Sequence, residues 1–368
     1  MKQLFLLLSI ALVVISATGQ VTYSSELEKK AQAGDVSSME DLGLCYSSGN
    51  GVEKDIAKAM AWWEKAANKG GIYAMVYLGI EYMYGNSVIS QDHEQAKKWF
   101  TTPANKGVIL SMRHLGFIYA SEHDFETAFY WYKKGADGGD VESMRVLGML
   151  YWSGSGVPSD SQKALEWYKK AADKGDIDAL YLIGAYYQDA NDHIKALEWY
   201  QTAAEKGHDK AMYRLFRYCM SDTEFQDYDK ALVWLHKSAE SGNADAMYWY
   251  GVFYEFGVID STIDYEKAMY WYKKAAVKRN VDAICMIGEM YFKGKGVSKD
   301  YETAYQYLYA ASTCKEPSGM AMKFLSECYR FGFGVPKDIS EADYWLNKAQ
   351  EAGSDEAENL LQQLKSKH

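Results

Sequence analysis

The chain has 368 residues, 48% of them hydrophobic and 15% aromatic, with four prolines, which is ample material for a core and little to interrupt helices. Lys plus Arg number 40 against 50 Asp plus Glu, a formal charge of −10. That balance argues against a nucleic-acid or anionic-membrane binder.

At the N-terminus Lys2 precedes the apolar run Leu4 to Ile15 and the small residues Ser16, Ala17, Thr18 and Gly19. This is the pattern of a secretory signal peptide over 1–19, with cleavage after Ala17 or Gly19. The apolar run is short for a membrane span; an uncleaved N-terminal anchor is the alternative. No other stretch is apolar enough to span, so the chain is expected to be exported without an integral span once the signal is removed. Its compartment would be the periplasm or the extracellular space, or the ER lumen or secretion in a eukaryote. The segment 20–34 follows, and Ser24 to Ala33 reads as an N-terminal capping helix.

From residue 35 to 353 the chain repeats itself. The stretch Ser143 to Gly175 shows the unit: two amphipathic helices joined by a turn containing Gly154, Gly156 and Pro158. Aligned on Gly148, the first helices carry Gly43, Gly79, Gly116, Gly148, Gly184, Phe216, Gly251, Gly288 and Ser326, at spacings of 32 to 38 residues. A fixed period in this range means a solenoid of nine repeats. A small residue stands five before each anchor, and three after it stands a tyrosine in every repeat but one, where Cys219 replaces it. Second helices carry Trp62, Trp99, Trp131, Trp167, Trp199, Trp234, Trp271, Tyr307 and Trp345, each with an alanine three residues earlier. The glycine and the alanine lack bulk, so paired helices can approach closely while each aromatic anchor wedges against the next repeat.

Four residues before each of these alanines is an aspartate, from Asp55 through Asp160 to Asp338. An N-cap, accepting backbone N–H bonds at the positive helix end, explains all nine without a metal or acid–base role. The segment 354–368 keeps Ala357 and Leu361 but places Gln362 and Lys365 where the repeat has glycine and tyrosine. A polar C-terminal capping helix of this kind lets a solenoid end in water.

The strings Ala74–Tyr82, Gly51–Gly70, Gly156–Gly175 and Gly294–Ala311 resemble the Sel-one-like repeat family of the tetratricopeptide-repeat superfamily. The resemblance implies an all-α fold, a right-handed superhelical solenoid of antiparallel helix pairs with a concave binding face. It implies an exported scaffold or adaptor for a protein or peptide partner, not an enzyme, and no cofactor. Two alternatives stay open: a cell-wall or β-lactam-acting enzyme like the cysteine-rich branch of the family, and a lumenal adaptor of a membrane-protein degradation complex. Departures from the pattern are the short turns Ala120–Asp124 and Gln188–Asp192, and the insertion Cys314–Gly319 with Pro317. Phe216 should push its helix pair apart, and Arg279 replaces the glycine that ends a second helix.

No catalytic motif is present, and the seven histidines share no ligand spacing. The five cysteines match no metal motif; most take core positions, while Cys285, Cys314 and Cys328 are the candidates for one bridge. In the superfamily the inner face is lined by first-helix residues just off the packing stripe, here three before and one after the glycine place. The first row reads Arg113, Arg145, Tyr181, Tyr213 and Tyr248; the second reads Phe117, Met149, Ala185, Arg217 and Val252. Arg113, Arg145, Tyr181, Tyr213, Arg217 and Tyr248 are the candidate partner-binding residues, because Arg and Tyr dominate binding hot spots. An arginine fork in an acidic chain suits a partner carboxylate; the alternative is that these side chains pair with local Asp or Glu.

Overall fold

The computed structural model describes residues 21–221 and 225–353; the signal segment 1–19 and the capping helix expected at 354–368 lie outside the described residues. Among the described residues there are nineteen helices and no strand. The chain divides into two compact units, one ending at Ala179 and one beginning at Leu180. The first holds α1 (Ser25–Gln32) and four pairs: α2 (Val36–Ser48) with α3 (Ile56–Asn68), α4 (Ile72–Tyr84) with α5 (His93–Asn105), α6 (Ile109–Ser121) with α7 (Phe125–Asp137), and α8 (Val141–Ser153) with α9 (Ser161–Asp173). The boundary falls within α10 (Ile177–Asp189). The second unit continues with α11 (His193–Glu205), then α12 (Asp209–Met220) with α13 (Tyr228–Glu240), α14 (Ala244–Glu255) with α15 (Tyr265–Val277), α16 (Val281–Lys293) with α17 (Tyr301–Ser312), and α18 (Gly319–Phe331) with α19 (Ile339–Glu351). Within each unit, helices adjacent in sequence pack on one another.

The starts of the second helices follow from one side chain each. Asp55, Asp92, Asp124, Asp160, Asp192, Asp227, Asp264, Asp300 and Asp338 all accept the backbone N–H three residues on. The nine aspartates are caps.

The first-helix glycine has a more specific partner than its alanine. A Cβ on Gly148 would stand 2.5 Å from Tyr168, on Gly43 2.2 Å from Trp63, and on Gly251 2.7 Å from Tyr272. The ring seated on the glycine is therefore the residue after the tryptophan anchor. The anchors themselves join the core of the following first helix, Trp167 with Ala179 and Trp271 with Ala283. Two of the seated rings are tied at their hydroxyls: Tyr200 donates to Gln188 at 2.9 Å and Tyr272 to Glu255 at 2.8 Å.

Phe216 does not push its pair apart, because the volume is exchanged across the interface. Where six repeats set glycine against an aromatic ring, this one sets Phe216 against Leu235, and both are buried in one cluster. α12 and α13 stay packed as closely as the other pairs. Arg279 adopts the conformation of the glycine it replaces, with φ +65°, at a steric cost that glycine avoids.

Repeats lock through their turns. Gly156, at φ +71°, lies so close to the start of α7 that a Cβ would come 2.1 Å from the Phe125 carbonyl oxygen. Gly51 is covered in the same way by Thr22 and Tyr23, and Tyr23 donates its backbone N–H to Asn50 at 3.0 Å. The segment leading into α1 thus takes the place of a preceding second helix. All five cysteines are free thiols, and Cys45, Cys219, Cys285 and Cys328 are buried; no bridge joins Cys285, Cys314 and Cys328.

Candidate partner-binding face

The residue three before the glycine place reaches the first helix of the next repeat, at its N-cap. Arg113 donates to Asp140 at 3.2 Å and lies 3.0 Å from Glu142. Arg145 repeats the arrangement one unit on, donating to Asp176 at 3.2 Å with Asp178 at 3.8 Å. Asp140 and Asp176 are themselves N-caps, accepting from Ser143 and Ala179. Both arginine forks are thus engaged by carboxylates of the chain itself.

Other repeats fill the same joint with different chemistry. Glu40 accepts the N–H of Ala74 at 2.9 Å, capping a helix whose own N-cap is Gly71, without a side chain. Val76 packs with Val108. Tyr181 stacks on His208, centroids 4.7 Å apart and 13° between planes. His208 accepts the Ala211 N–H at Nδ1, 3.1 Å away; the capping bond requires that this nitrogen carry no proton. Tyr213 lies on Phe216, and Tyr248 against Trp249 and Tyr272. Burial beside Asp282 pushes the Tyr248 hydroxyl up to about 12.

In the first unit Arg113 and Arg145 share one open groove of about 530 Å³ with Ile109, Asp140, Glu142 and Asp176. Two guanidinium groups face four carboxylates, counting Asp178, so the groove carries net negative charge. Beneath it His114 stacks on Phe100 at 5.0 Å. Burial lowers its pKa to about 4, so it is neutral near pH 7. The second row is more open: Phe117 is 51% and Met149 45% exposed, and Arg217 is exposed in the second unit.

The six candidate residues are therefore brought together in part. Arg113 and Arg145 line one groove, Tyr213 and Arg217 lie one turn apart on α12, and Tyr181 and Tyr248 are half-buried packing residues. For the two arginines the structure bears out the alternative of pairing with local Asp or Glu; sequence reasoning did not say which carboxylates. The signal for the carboxylates was available: an acidic or polar N-cap begins α8, α14 and α16, although α4 and α6 have none.

The Sel1 repeat family model matches nine segments, 36–71, 72–108, 110–140, 141–176, 177–208, 209–243, 244–276, 281–315 and 319–354. The chain belongs to the Sel1-repeat family. Its fold is similar to the crystal structure of c5321, a protective antigen present in uropathogenic Escherichia coli strains displaying an SLR fold. The two are 28% identical with a TM-score of 0.62, over 93% of this chain and 74% of that one. It is also similar to a Sel1 repeat protein from Oxalobacter formigenes, 28% identical with a TM-score of 0.52, over 92% of this chain and 89% of that one. A search of curated proteins finds no match. Sel1-repeat proteins are in general protein-interaction scaffolds, and that is the coarse function of this chain. Among the described residues no helix is long and apolar enough to cross a membrane.

Proposed function

We propose that this Sel1-repeat protein is an exported scaffold that holds a polypeptide partner along the inner face of its first helices. The observation that carries the reading is the exposed second row. Phe117 and Met149 occupy equivalent places in successive repeats and stay open to solvent, beside a groove whose floor is held by ion pairs. Exposed apolar side chains that recur in register beside charged ones are what a partner can bury. Export rests on the run Leu4 to Ile15 with its small-residue exit.

The test is affinity capture by the full chain against the double variant Phe117→Ala, Met149→Ala. Neither side chain is buried, so the variant should keep its circular dichroism spectrum and lose its partner. Retention of every partner at wild-type strength would exclude this face. Export is tested by the mass of the protein recovered outside the cytoplasm, which should begin after Ala17 or Gly19.

A further inference from the structure

We infer that the first helix of the sixth repeat, α12, is an acceptor for an acidic polypeptide segment, through the stripe Lys210, Arg214 and Arg217. This rests on the scaffold reading above and names the partner chemistry for one part of the face.

The three cations stand at i, i+4 and i+7, one line along the helix spanning about 10 Å at 1.5 Å per residue. All three are exposed. Among the described residues none has a carboxylate partner, whereas Arg113, Arg145 and Arg330 are paired within the chain; Arg279, at a helix-ending turn, is the other arginine without one. Asp209, the acid on the same helix, is engaged by Asn243, which donates to it at 3.1 Å.

Like charges at three- and four-residue spacing disfavour a helix, and among the described residues no carboxylate is paired with any of the three. In a chain of net charge −10, three exposed cations in line on one helix, two of them arginines, make a local positive stripe. Two of its six arginines stand in it. Arg214 is also held: the Tyr181 hydroxyl faces its guanidinium, and Tyr181 is fixed in turn by its stack on His208. A guanidinium beside the Tyr181 hydroxyl, flanked by two exposed cations and by Tyr213, suits carboxylates spaced along a peptide, with a π-face beside them. The acidity of the chain as a whole disfavours long polyanions such as nucleic acid and anionic bilayers, which would meet the surrounding carboxylates.

The experiment measures fluorescence anisotropy of a labelled glutamate-rich dodecapeptide with the full chain and with Lys210→Glu, Arg217→Glu, two exposed positions whose change leaves Arg214 and its tyrosine in place. A lysine-rich peptide, a single-stranded oligonucleotide, and phosphatidylcholine vesicles carrying phosphatidylserine are measured alongside. The expected result is binding of the acidic peptide alone, weakened about tenfold or more in the variant and weakened for the wild type by added salt. A circular dichroism spectrum matching wild type shows that the variant folds; the milder Lys210→Gln, Arg217→Gln replaces it otherwise. No binding of the acidic peptide, equal binding by wild type and variant, or tighter charge-dependent binding of the oligonucleotide or vesicles would overturn the inference. If the acidic peptide fails while capture still depends on Phe117 and Met149, this inference falls and the scaffold reading stands. If capture ignores Phe117 and Met149, the scaffold reading falls.

Discussion

The exchange of volume between Phe216 and Leu235 can be tested by rebuilding the common arrangement in its place. Phe216 is 2% exposed, so Phe216→Gly empties a ring-sized space beside Leu235. Loss of a buried ring costs about 3–5 kcal/mol, and glycine in a helix interior adds about 1. Leu235→Tyr alone forces a ring against Phe216 and should cost about 1–3 kcal/mol. Without coupling, the double variant would lose the sum, roughly 5–9 kcal/mol. With coupling it recreates the pair seen at Gly251 and Tyr272, where the ring occupies the space a Cβ would need. The double variant should then be less destabilised than Phe216→Gly alone. Part of the loss should persist, because Met220 stands where Glu255 and Gln188 accept the tyrosine hydroxyl in two other repeats. Native-state hydrogen exchange over α12 and α13 reads the local change without assuming that a repeat array unfolds in one step. A double variant as unstable as the sum of the singles would refute the complementarity argument.

Arg279→Gly should stabilise the chain by about 1 kcal/mol, since it relieves a non-glycine residue at φ +65°; an unchanged or lower unfolding midpoint would contradict this. Glu40→Ala should expose an unpartnered Ala74 N–H and destabilise α4 by about 1–2 kcal/mol, read as faster exchange of the α4 amides. Gly71→Asp in that background should restore part of the loss by supplying a local cap, although its Cβ would stand 2.9 Å from the Ala66 carbonyl oxygen. Stability should vary with pH in two opposed steps. Burial raises the Glu40 and Glu81 carboxyls above their ordinary 4.5, so the folded state takes up their protons first and stability rises as pH falls toward 4.5. Asp55, Asp160 and Asp264 are held below their ordinary 3.8, chiefly by the backbone N–H each accepts. Their contribution is complete above 3.8 and is lost as pH falls through the lowered values. A denaturation midpoint that kept rising below pH 3.8 would contradict the capping role.

The helix pairs, their starts and their close approach were legible because each is written within one repeat. An aspartate, an alanine four residues on and a tryptophan three beyond that fix one turn-to-helix junction at Asp160, Ala164 and Trp167, and the same spacing occurs in all nine repeats, with Tyr307 for tryptophan in the eighth. The seat of the glycine was harder to read. Helical geometry lets either Trp167 or Tyr168 face Gly148, and only the packed pair decides for Tyr168. The candidate residues were placed on the right helices, but their partners lie about thirty residues away, in the next repeat, where no local period connects them.

That distance reflects what the row three before the glycine does. The position three before the glycine is in several repeats a joint to the next N-cap: Glu40 with the Ala74 N–H, Arg113 with Asp140, Tyr181 with His208. A residue spent on a joint has little left for a partner, as the doubly engaged Arg113 and Arg145 show. Recognition is therefore expected from positions the joint does not use. Phe117 and Met149 lie four residues on from the joint arginines and are open to solvent. In the sixth repeat the joint position is Tyr213, which packs on Phe216, and its neighbours Arg214 and Arg217 are left exposed. The sixth repeat is where the chain departs most from its glycine rule, and also where two exposed arginines stand on one first helix. Its altered core keeps α12 packed while its outer positions differ from those of the other repeats.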